Sequence, residues 1–122
     1  MEAMSSAKRK PKIAILAPLL LRVPPHRQGG TEWVVYHQAN GLASRGYDVT
    51  LLAVAGSKTQ ARLVPVMRRP VAEYAVDPAA MESSRRLRLE TTSIGLTAGR
   101  LAAGRYDLAF SHARGGEALL PF

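Results

Sequence analysis

Short apolar runs alternate with amphipathic stretches along this chain, and their spacing predicts the elements. Ile13–Ala17 is brief and rich in branched residues, as a buried strand is. A loop follows, in which Pro18, Pro24 and Pro25 bar a helix. Gly29 and Gly30 then open a helix whose apolar positions Val35, Ala39, Leu42 and Ala43 fall at i, i+4, i+7 and i+8. Gly46 stands where a helix stop belongs. Val49–Val54 reads as a second buried strand, and Gly56-Ser57-Lys58-Thr59 as a polar turn. Leu63–Met67 reads as a third strand, with Pro65 marking an edge or irregular position. Asp77-Pro78 is a helix start, a carboxylate cap before proline at the first helical position. The segment 78–105 reads as helical, with Gly95 and Gly99 as weak points and a break expected near Glu90–Ser93. Ile94, Ala98, Leu101 and Ala102 carry its core-facing spacing. Leu108–Phe110 is a fourth strand, Ser111–Gly116 a loop, and Glu117–Leu120 the start of another helix.

Strands alternating with helices imply an α/β fold with a parallel, Rossmann-like sheet. Ligands of such sheets gather at the carboxyl ends of the strands. The loop from Pro18 to Gly30 and the loop from Ser111 to Gly116 are therefore expected on one edge, able to share a cleft.

Composition narrows the possibilities. The 122 residues suffice for one small domain, and the hydrophobic fraction of 47% is ordinary. Residues 1–11 are polar and basic, lack the apolar core of a secretory signal and read as a disordered tail. No apolar run approaches the roughly 20 residues needed to cross a bilayer. The chain has no cysteine, which excludes disulfides and thiolate metal sites and fits a cytoplasmic protein. Seventeen basic against nine acidic residues give a net charge of +8, which attracts phosphate-rich partners. No zinc finger, helix-turn-helix or RNA-binding aromatic motif is present, so nucleic acid is not the expected partner.

Two segments carry a resemblance. Pro24-Pro25-His26-Arg27-Gln28-Gly29-Gly30-Thr31-Glu32 and Arg45-Gly46-Tyr47-Asp48-Val49-Thr50 resemble the opening of the retaining GT-B glycosyltransferases, the large family that includes sucrose synthases and bacterial mannosyl- and glucosyltransferases. The segment Tyr106-Asp107-Leu108-Ala109-Phe110-Ser111-His112 is similar to the family's Y-D-x-V-H-x-H pattern, with Phe110 in place of the first His and the second kept as His112. The likeness covers most of residues 12–122 and is loose over Ser57–Ala80. It implies a partial N-terminal GT-B domain. The whole enzyme would move a sugar from a nucleotide-diphosphate donor to an acceptor hydroxyl with retention, with no further cofactor. The second domain, which holds most of the nucleotide contacts, is missing, so the chain alone is expected to be inactive. The alternatives are a truncated or split-subunit binding module without catalysis, and a fragment of a GT-B-type nucleotide-sugar epimerase.

Candidate chemistry falls on few residues. The free N–H groups and positive dipole of a helix opening at Gly29-Gly30 suit a phosphate, although a glycine pair also simply lets a helix start. A nicotinamide site is disfavoured: no G-x-G-x-x-G follows strand one and no acid ends strand two. Glu32 either complements the helix dipole or fixes the glycine loop by accepting from backbone N–H groups. The resemblance places His112 beside the donor sugar, near the reacting carbon. His26 and His37 lack metal-ligand spacing. Trp33 and Tyr36 read as half-buried helix residues. Arg114-Gly115-Gly116-Glu117 is a second glycine pair before a helix. Arg85, Arg86 and Arg88 form either a solvated helix face or a surface for docking on an anionic membrane.

Overall fold

The alternation of apolar runs becomes a single parallel sheet. The computed structural model describes residues 10–73 and 81–113, with the backbone alone for 81–87. Its elements are β1 (Lys12–Leu16), α1 (Gly30–Ser44), β2 (Asp48–Val54), β3 (Arg62–Met67), a 3-10 turn (Val71–Glu73), α2 (Met81–Gly104) and β4 (Leu108–Ser111). The four strands lie in the order β3-β2-β1-β4. Every neighbouring pair is parallel, which makes the fold α/β and Rossmann-like.

Side chains alternate across a strand, so the two faces draw on alternate residues. Ile13, Ile15 and Ala17 join Val49, Leu51 and Ala53 on one face, under Val35 and Ala39 of α1. Ala14, Leu16, Leu52 and Val54 pack on the other, against Leu89, Ile94, Ala98 and Leu101 of α2. With helices on both faces, β1 and β2 read as continuous apolar runs. Gly46 closes α1 as expected: its φ is +87°, and its N–H donates to the Ala43 carbonyl at 3.0 Å.

Three expectations need comment. α2 is one unbroken helix, with no break at Glu90–Ser93. The Ser93 hydroxyl donates to the Glu90 carbonyl and Thr97 Oγ1 to the Ser93 carbonyl, so these polar side chains are satisfied within the helix. Ala102 is exposed, because eight residues on from Ile94 it is turned about 80° out of the buried stripe. The β2–β3 connection contains no helix. β3 starts beside Thr50, so residues 55–61 need to run back only a short way along β2. Pro65 does lie on an edge strand, beside a register shift at Ala53/Val54. The helix start at Asp77-Pro78, the basic tail up to residue 9, and the loop and helix start expected over 114–120 lie outside the described residues.

β4 is exposed along its whole length. Leu108 and Phe110 pair with Ile13 and Ile15, on the face that α1 covers, yet stay 47% and 40% exposed. Val34 of α1 is 56% exposed. An edge strand with apolar side chains invites self-association. Phe110→Ser is therefore expected to lower apolar-dye binding and concentration-dependent association, with stability moved by no more than about 0.5 kcal/mol. Unchanged dye binding and association would remove β4 as the sticky surface.

Candidate functional site

The strand order sets the location. From β1 the chain turns to β2 on one side, while β4 arrives on the other. Such a reversal opens a crevice outside the carboxyl ends of the two central strands, where α/β sheets bind ligands. Here those strands are β1 and β4. The His112 N–H donates to the Leu16 carbonyl at 2.9 Å, so the loops that follow β1 and β4 leave side by side, as expected. A small apolar depression lies at this point, lined by Pro18, Leu19, Ile94, Thr97 and Ala113.

The loop after β1 is long but not loose. Val71 and Ala72 donate to the carbonyls of Leu19 and Leu20. The Val23 N–H donates to Ser57 Oγ at 3.0 Å, and the Lys58 N–H to the Val23 carbonyl at 2.6 Å. Arg22 Nε donates to the Ala55 carbonyl at 3.0 Å. Leu19, Val23 and Pro25 are buried beneath it. The turn between β2 and β3 and the 3-10 turn thus brace the loop from two sides. The Val23–Pro24 peptide is cis.

The glycine pair divides its labour. Gly29 has φ +144°, and a Cβ there would lie 2.8 Å from Pro25 Cγ and 3.0 Å from Glu32 Oε1. Only glycine fits this junction. Gly30, the first residue of α1, has no such constraint: its φ is not positive, and a Cβ would meet nothing within 4 Å. The open space over Gly30 is where a ligand can reach the first, unbonded N–H groups of α1. Glu32 is only 4% exposed, tucked against Gly29 and Pro25. The N-cap is Gly29, which has no side chain to cap the helix. Glu32 packs beneath the loop, where its charge also favours the helix dipole.

His112 is half-buried just past β4. Its Nε2 donates to Oε1 of Gln38, in the middle of α1, at 2.8 Å. The other ring nitrogen, Nδ1, has no partner among the described residues. Gln38 therefore orients the imidazole. Sequence reasoning missed it, since a mid-helix glutamine carries no motif. The only available signal was its position, eight residues after Gly30, on the side of α1 turned toward β4.

Glu73 was likewise missed. Its carboxylate is paired with Arg22 and lies 3.9 Å from Arg69 Nε. This cluster forms one wall of a cleft whose other wall is Pro25, His26 and Arg27. The remaining candidates are scattered. His37 stacks on Trp33 with ring centroids 5.9 Å apart, and Trp33 meets Tyr36 edge-on at 5.5 Å. Trp33 and His37 are exposed, and Tyr36 packs partly on the core. Arg88 is exposed. The side chains of Arg85 and Arg86, and all of Arg114-Gly115-Gly116-Glu117, lie outside the described residues. Among the described residues no group of three or more His, Asp or Glu could hold a metal ion. None of their helices is long and apolar enough to cross a membrane.

No protein-family model matches the sequence, and no curated protein matches it. Function is therefore read from the residues and their placement.

Proposed function

We propose that this chain forms the N-terminal wall of the active cleft of a retaining glycosyltransferase that uses nucleotide-diphosphate sugars. The observation that supports this most is that two separate sequence features follow the adjacent strands β1 and β4. The segment that leads to Gly29-Gly30 and the segment that carries His112 are far apart in sequence, yet they leave the sheet side by side, where the His112 N–H donates to the Leu16 carbonyl, and the His112 ring is held by Gln38 in the middle of α1.

The chemistry suits the reaction. Transfer with retention passes through a cation-like sugar centre and a departing phosphate. The second ring nitrogen of His112, Nδ1, can hydrogen-bond a sugar hydroxyl and hold the sugar in place. The open N–H groups at Gly30 and the positive end of α1 favour the charge that builds on the phosphate. The base of the nucleotide is expected on a second domain, so this wall contacts the sugar and diphosphate alone.

Ligand-observed saturation-transfer NMR with UDP-glucose and GDP-mannose tests this. The expected result is saturation concentrated on the sugar protons, with little on the base. Saturation confined to the base, or none for either donor, would contradict it.

A further inference from the structure

The cleft between the β1–α1 loop and the 3-10 turn is not used by the chemistry above. It is lined by Arg22, Pro25, His26, Arg27, Pro70 and Glu73, with Gln28 beside them. Its charges do not balance. Glu73 is the carboxylate of the lining, and two guanidiniums already approach it: Arg22 pairs with one oxygen and Arg69 Nε lies 3.9 Å from the other. Arg69 Nη2 also donates to the Glu73 carbonyl at 3.0 Å. Arg27 and His26, both exposed, have no partner among the described residues. The concave wall therefore carries one spare guanidinium and one spare imidazole, while Arg22 is held by the Ala55 carbonyl.

Its place in the fold matters as much as its charge. The 3-10 turn follows β3 and His112 follows β4, the two outer strands of the sheet. Val71 of that turn and Ala113, next to His112, border one depression, so the arginine cleft and the His112 segment lie at the same end of the sheet. An acceptor whose phosphate sits among the arginines can extend toward that segment.

We propose that this cleft binds a phosphate group on the acceptor, so that the sugar is transferred to a phosphorylated molecule anchored by Arg27 and His26. This rests on the transferase reading for the word acceptor, but the anion site itself does not depend on it. Guanidinium and imidazole N–H donors pair with phosphate oxygens, and Arg does so in a planar fork. The phosphate can belong to a soluble sugar phosphate or to a phospholipid head group.

The full-length chain, isotope-labelled, is titrated with glucose 6-phosphate, with glucose as the neutral control. In parallel it is mixed with vesicles containing phosphatidic acid, whose headgroup is a bare phosphate monoester, and with vesicles of phosphatidylcholine alone, whose phosphate is covered by choline. Arg27→Ala and His26→Ala are the variants of choice, because neither side chain holds the fold together. Saturable shifts over residues 22–28 with glucose 6-phosphate, absent with glucose and weakened about tenfold by Arg27→Ala, are expected for a soluble ligand. Binding to the anionic vesicles alone, lost in the same variant, assigns the phosphate to a lipid. No response to either probe, or responses that survive both substitutions, overturns the proposal. UDP-glucose is titrated on the same samples. Phosphate binding at Arg27 with no donor contact at Gly30 or His112 would sink the transferase reading and leave the anion cleft standing. Donor contact without phosphate binding would do the reverse.

Discussion

Gly29→Ala is expected to destabilise the chain by about 3 kcal/mol. Its φ of +144° is one that residues with a Cβ rarely adopt, and strain of that kind costs about 1–3 kcal/mol. The added Cβ must also displace Pro25 Cγ, 2.8 Å away, and Glu32 Oε1, 3.0 Å away. Both neighbours are buried, and the loop that carries Pro25 is braced on two sides, so neither can move freely. In a thermal scan the loss corresponds to a fall of about 15 °C in Tm for a domain of this size. Gly30→Ala is the internal control. Its Cβ enters open space and its φ is not positive, so stability is expected within about 0.5 kcal/mol of the parent. Equal losses at the two positions would mean that the loop does not have the conformation described.

On the transferase reading proposed above, His112→Ala is expected to lower kcat about 100-fold in an enzyme that joins this wall to a nucleotide-binding domain. The imidazole is fixed by Gln38 Oε1 at 2.8 Å, and the backbone by Leu16, so the side chain is already oriented before a donor arrives. KM for the donor should change little, since that reading assigns the nucleotide to the other domain. His112 is only half-buried and outside both hydrophobic clusters, so the fold should survive its loss. An unchanged kcat, or a loss matched by unfolding, would return His112 to a purely structural pairing with Gln38.

Much of the fold was legible because its signals are local. β1 and β2 are buried on both faces and announce themselves as apolar runs. The stop at Gly46 and the edge character of Pro65 follow from backbone chemistry that belongs to single residues. The break expected at Glu90–Ser93 is absent, and the weak points Gly95 and Gly99 stay helical, because the packing of Leu89, Ile94, Ala98 and Leu101 on the sheet outweighs local propensity. The site was legible only in part. The glycine pair and His112 stood out as motif positions, but which glycine is needed by the backbone depends on Pro25 and Glu32, brought close by the fold. Gln38 and the Arg22–Glu73 pair have no sequence signature at all. They pair residues 74 and 51 positions apart, which only the fold brings together.

The most direct measurement is protein-observed NMR of the full-length chain with UDP-glucose, GDP-mannose and NADH in separate titrations. The expected result is saturable shifts at the amides of Gly29, Gly30 and His112 with at least one nucleotide sugar, and none at these positions with NADH. Shifts at the same amides with NADH, or silence there with both nucleotide sugars, would contradict a sugar-donor site at the β1/β4 crevice.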